Sequence, residues 1–186
     1  MKWALYASGF REDRGEHTGT KSNAHRVRDL YQSSDCCVIY VEWKNDPKGY
    51  AQSIASQWEA GDVLTVMGYS WGAGNWVKKF LWALYKANPS IKVSHVLLVD
   101  PVVRSPWPWM RWLAVSPWGT IKLPDNVKLI CGVRQELNEP NCSKIEVGGI
   151  SGIEEVFEVL PYEHTKIDNA KEVTDRVLEI ARRYLA

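Results

Sequence analysis

Short apolar runs alternate along the chain with segments whose apolar positions recur every three or four residues. Residues 2–7 (KWALYA) form a first apolar run that ends in Ser8-Gly9, a strand followed by a turn. A polar loop (11–20) leads to a helix over 23–32, with Ala24, Val27, Leu30 and Tyr31 on one face. Residues 36–43 (CCVIYVEW) read as a buried strand. Pro47 opens a second helix over 47–58, in which Tyr50, Ile54 and Trp58 are spaced i, i+4, i+8. Residues 62–67 (DVLTVM) are the next strand. The strongest helix, 71–87, carries the stripe Ala73, Trp76, Val77, Phe80, Leu81 and Leu84 and stops at Asn88-Pro89. Strands are predicted over 92–99, 127–133 and 156–160. A last helix over 170–185 buries Val173, Val177, Ile180, Ala181 and Tyr184, with Asn169 and Glu172 spaced as a capping box.

The strands are continuous apolar runs, not alternating ones, which is the pattern of strands buried on both faces. Alternation of such strands with helices predicts an α/β fold. The expectation is one compact three-layer domain over residues 1–186, with a mainly parallel sheet, helices on both faces and no separate cap domain.

Composition narrows the partners. Lys plus Arg number 23 and Asp plus Glu 22, a formal net charge of +1, so there is no basic excess of the kind that binds nucleic acid. No apolar stretch is long enough for a membrane span, and the N-terminal run is too short for a signal peptide. Cys36 and Cys37 are adjacent in a strand and face opposite ways, so they do not chelate one metal. With no CxxC spacing, zinc is not expected, and the four cysteines read as reduced thiols of a cytoplasmic protein. No nucleotide, phosphate or H-E-x-x-H motif occurs. No cofactor is implied.

Strand 62–67 runs directly into Gly68-Tyr69-Ser70-Trp71-Gly72, and a helix starts at once. This G-x-S-x-G between strand and helix is the pattern of a sharp turn that exposes a strained serine. Glycines are needed at 68 and 72 because a side chain there would meet the neighbouring strand or helix. The helix N-terminus would aim amide N–H groups at an anionic intermediate. The plain alternative is an ordinary turn serine. On these residues, and on the order of its elements, the chain resembles the α/β-hydrolase superfamily.

That resemblance implies a triad in the order Ser, acid, His. His17 and His25 precede Ser70, and His95 lies at the start of its strand, away from the carboxyl ends where sites form. His164 follows the last strand and matches the superfamily's general base. For the acid, Asp100 ends strand 92–99 in Asp100-Pro101, a placement similar to the pancreatic-lipase group and to small bacterial and phage hydrolases. Most of the superfamily carries its acid one strand later, where Glu136 and Glu139 are the rivals. The resemblance assigns one oxyanion donor to the Trp71 N–H and the second to Ser8, Gly9 or Phe10.

The implied activity is hydrolysis of carboxylic esters through an acyl-enzyme, on small-molecule or lipid-like substrates with apolar or aromatic acyl groups. Thioesterase, amidase or peptidase activity with the same residues, or a non-catalytic binding module on this fold, are the alternatives.

Tryptophan is the compositional oddity, with ten in the chain. Four of them, Trp107, Trp109, Trp112 and Trp118, fall in the Trp/Pro-rich segment 104–118, shortly after Asp100. This segment reads either as a lid or pocket wall, able to touch a lipid interface, or as a helix that covers the core. Together with Tyr69, the residues Trp107, Trp109 and Trp112 are the candidate substrate-pocket residues.

Overall fold

The computed structural model describes residues 1–10, 19–103, 121–137, 145–147 and 154–186. Six strands form one sheet in the order β2-β1-β3-β4-β6-β8, and all of its pairings are parallel. They are β1 Lys2–Ala7, β2 Cys36–Val41, β3 Val63–Tyr69, β4 His95–Val99, β6 Leu129–Arg134 and β8 Glu154–Val159. Among the described residues four α-helices cover the sheet: α1 Gly19–Tyr31, α2 Pro47–Gln57, α3 Lys78–Ala87 and α4 Lys171–Leu185. The strands β5 Ile121–Leu123 and β7 Ile145–Val147 pair with each other in a separate two-stranded sheet that the sequence reading did not anticipate.

Alternation along each strand distributes side chains to two cores. Leu5, Leu64, Val66, Val96 and Leu98 pack with Ile54 of α2 and with Phe80, Leu81 and Leu84 of α3. Tyr6, Met67, Leu97, Val99 and Cys131 pack with Val27 of α1 and with Val173, Val177 and Ala181 of α4. The adjacent cysteines separate as their pleat requires, Cys36 to the α1/α4 side and Cys37 to the α2/α3 side. Burying a sheet on both faces is what demands the continuous apolar runs.

Several local expectations are corrected. Helix α1 starts four residues early, because Gly19 lies hard against the Asp168 backbone and the Thr20 N–H donates to Asp168 Oδ2. Leu30 is exposed, so the buried face of α1 is narrower than the spacing implied. Strand β4 starts at His95, and Val93 makes only an isolated bridge to Val127. The capping box does not form. Ala170 occupies the N-cap after a 3₁₀ turn (Ile167–Asn169), and Glu172 accepts from the Tyr162 hydroxyl instead.

The chain runs from β1 outward to β2 and then back across to β3 on β1's other side. In parallel sheets such a reversal opens a crevice at the strands' carboxyl ends, where ligands bind. The segments after β1 and β3 are those that carry Gly9 and Ser70.

Candidate active site

Ser70 sits between β3 and a π-helical turn, Gly72–Val77, that leads into α3. Its φ is +52°, a left-handed conformation that serine seldom adopts. Two close approaches hold the bend. A Cβ on Gly72 would lie 2.3 Å from the Ser8 carbonyl oxygen, and one on Gly68 would lie 2.7 Å from Ala73 Cα. Single-turn π segments are a recurrent feature of functional sites.

His164 is delivered by the turn between β8 and α4. Its Nε2 is 2.8 Å from Ser70 Oγ, and its Nδ1 is 2.5 Å from Asp100 Oδ2. A carboxylate only accepts, so Nδ1 carries the proton towards Asp100 and Nε2 is left to accept from the Ser70 hydroxyl. All three side chains are buried: Asp100 is 0% exposed, Ser70 6% and His164 8%. Removal from water strengthens these charge-assisted contacts.

Asp100 also has a left-handed φ, +41°. Its backbone N–H donates to the Val133 carbonyl, and the Val102 N–H donates to the Ser70 carbonyl at 2.9 Å. The segment after β4 is therefore tied both to β6 and to the bend that holds Ser70. Glu136, the rival acid, is exposed and pairs with Arg134 at 3.1 Å. Contact separates the two carboxylates: Asp100 meets His164 Nδ1, whereas Glu136 turns out to solvent on Arg134.

Tyr69, expected to line the pocket, packs against His164. It is buried, its ring stacks on the His164 imidazole with centroids 5.4 Å apart, and its hydroxyl donates to the His164 carbonyl. A Cβ on Gly9 would come within 2.7 Å of the Tyr69 ring and 3.2 Å of Ser70 Cβ, so the segment after β1 lies directly against the serine. The Ser8 hydroxyl is occupied, accepting from the Trp43 N–H.

Phe10 and Trp71, expected only as backbone donors, also form an aromatic cluster with Trp43. Trp43 and Trp71 stack at 4.7 Å, and Phe10 packs against both at 5.4 and 5.5 Å. Trp43 was missed by the sequence reading. Its signal is its place just past the carboxyl end of β2, where side chains reach the site edge. Trp107, Trp109, Trp112 and Trp118, the rival Glu139 and His17 lie outside the described residues, as does the whole proposed lid over 104–118.

Among the described residues no group of three or more His, Cys, Asp or Glu could hold a metal ion, and no helix is long and apolar enough to cross a membrane.

No protein-family model and no curated protein sequence matches the chain. Solved structures do. The wild-type Vlm2 thioesterase domain is similar at 13% identity over 99% of this chain and 93% of that one, with a TM-score of 0.50. The Vlm2 domain carrying genetically encoded 2,3-diaminopropionic acid, bound with a dodecadepsipeptide, is 13% identical over 98% and 93%, again at 0.50. The RedJ thioesterase from the prodiginine biosynthetic pathway in Streptomyces coelicolor is 8% identical over 97% and 85%, also at 0.50. At such identities the likeness speaks for the fold. The chain has the α/β-hydrolase fold.

Proposed function

We propose that this chain is a serine hydrolase that cleaves small-molecule acyl thioesters and, more slowly, oxygen esters with apolar acyl groups. The observation that carries the reading is the continuous row of hydrogen bonds Asp100–His164–Ser70. In the proposed cycle Ser70 Oγ bonds to the substrate carbonyl carbon while His164 Nε2 takes the hydroxyl proton. The carbonyl electron pair moves onto its oxygen, which the N–H groups of Trp71 and of Gly9 or Phe10 would stabilise. Collapse breaks the carbon–sulfur or carbon–oxygen bond, and the imidazolium protonates the leaving group. Water, deprotonated by the same nitrogen, then releases the acid and restores Ser70. Asp100 holds the imidazole in the tautomer this requires.

The aromatic cluster of Phe10, Trp43 and Trp71 supports an apolar acyl group. The order of thioester before oxygen ester rests on the similar folds, which include the Vlm2 and RedJ thioesterases. The test is labelling of the native chain with a serine-reactive phosphonate, followed by matched thioester, ester and amide substrates. A label on Ser70 and faster thioester turnover are expected. A folded chain that takes no label would instead be a binding module, and faster ester turnover would reverse the substrate order.

A further inference from the structure

The other end of β4 presents a second histidine in a different setting. His95 is 4% exposed, yet among the described residues neither Nδ1 nor Nε2 has a hydrogen-bond partner. Buried polar atoms are normally satisfied, so an imidazole lacking both partners asks for an explanation. His95 lines a cavity of about 140 Å³ together with Leu129, Cys131, Arg176, Glu179, Ile180 and Arg183. A water needs only about 10–15 Å³ measured this way, so there is room for a polyatomic ligand.

Among the described residues the lining carries two guanidinium groups, Arg176 and Arg183, and one carboxylate, Glu179, which pairs with Arg176 at 2.9 Å. Arg176 also approaches Glu158 of β8 at 4.0 Å. Among the described residues Arg183 has no carboxylate partner; its guanidinium lies 5.3 Å from the Tyr184 ring centroid. Tyr184 in turn sets its ring edge-on to His95, at 5.8 Å. Guanidinium groups and a buried imidazole lining one cavity match a compact oxyanion and repel a cation.

We propose that this cavity is a binding site for a small tetrahedral oxyanion of the phosphate or sulfate class, held between His95, Arg183 and Arg176. Asp100 lies five residue steps beyond His95, about 16 Å along an extended strand. The site therefore lies at the opposite edge of the sheet from Ser70, and it does not depend on the hydrolase reading.

Burial, with Arg183 and then Arg176 nearby, lowers the His95 pKa from 6.5 to about 4, so the ring is neutral at pH 7 until an anion arrives. An anion beside it favours the protonated ring, so binding takes up a proton and tightens as pH falls through this range. Among the described residues the titratable and charged groups facing the ring are Arg176, Glu179, Arg183 and Tyr184 of α4 and Cys131 of β6, with Glu158 of β8 acting through Arg176.

The experiment is titration of the full chain with sulfate at constant ionic strength, read by calorimetry and by the ¹⁵N shifts of the His95 ring. Sulfate keeps its charge across the pH range. Saturable binding with a Kd at or below about 1 mM is expected. Arg183→Gln should weaken it at least about tenfold, and His95→Gln should abolish its pH dependence. Phosphate and glycerol 3-phosphate form parallel arms, and tighter binding of either identifies a free ion or a phosphate monoester as the preferred form. The proposal is overturned if the His95 ring does not respond, or if a folded Arg183→Gln variant binds sulfate as tightly as the parent chain. An equal response to chloride would overturn it as well.

Discussion

Strand β4 has a buried polar group at each end, and the contrast between them separates two uses of histidine in one fold. At its carboxyl end Asp100 meets His164, which is 8% exposed and has both ring nitrogens engaged, one by Asp100 and one by Ser70. At its amino end His95, 4% exposed, engages neither. Burial alone thus does not decide whether an imidazole is hydrogen-bonded. What differs is the backbone around each ring. The carboxyl edge gathers left-handed bends and close-packed glycines that bring three segments onto one atom. The amino edge is regular strand and helix, which leaves a side chain against a cavity with guanidinium groups at its rim.

Replacement of Ser70 by Ala would break the contrast most severely. Ser70→Ala should cut turnover of the best thioester by about 10⁴–10⁶-fold while the circular-dichroism spectrum stays unchanged. Asp100→Asn should cost about 10⁴-fold, because an amide favours the wrong imidazole tautomer. Glu136→Gln should stay within about threefold of the parent chain; the reverse ranking, measured as kcat/KM, would move the acid to β6.

The glycines come next. A Cβ on Gly74 would lie 2.1 Å from the Val102 carbonyl oxygen, in the segment that carries Asp100. Gly74→Ala should therefore lower stability by about 1–3 kcal/mol in urea unfolding and reduce kcat with it. Tyr69→Phe removes one hydrogen bond to the His164 carbonyl and leaves the ring stack. A fall in kcat of about threefold to tenfold, with KM unchanged, is expected. Equal changes in both would make Tyr69 a substrate contact after all.

The smallest effect on turnover belongs to the amino edge. His95 has a folded pKa of about 4 against an ordinary 6.5, so the unfolded chain binds its proton more readily. Its contribution to stability is therefore complete above pH 6.5 and is lost as pH falls towards 4. His95→Leu should flatten urea-unfolding stability across that window and leave turnover within about twofold. A variant as acid-sensitive as the parent chain would show that the buried imidazole is not what titrates.

How legible each end was follows from the range of the interactions that make it. The apolar stripe over 71–87 could be read, because Ala73, Trp76, Val77, Phe80, Leu81 and Leu84 follow a local period and all six are buried, although its first turns are π-helical and only Lys78–Ala87 is α3. The bend at Ser70 was legible for the same reason, since one pentapeptide contains the strand end, the glycines and the serine. The capping box at Asn169 and Glu172 had the right spacing but lost to the 3₁₀ turn and to Tyr162, ten residues upstream of Glu172. Tyr69 was read as facing substrate because its sequence position adjoins Ser70. Only packing shows its hydroxyl on a carbonyl 95 residues away.

By itself the sequence determined the six strands of the main sheet, most of the helices, the serine bend and a short list of acids and histidines, since each is encoded within a few residues. The tertiary structure decided which carboxylate reaches His164, that Trp43 joins Trp71 and Phe10, and that His95 faces a basic cavity. These depend on sheet order and on groups tens of residues apart. Hydrogen bonds and charge pairs act over a few ångströms, so no spacing along the chain reveals them until the sheet has brought the ends together.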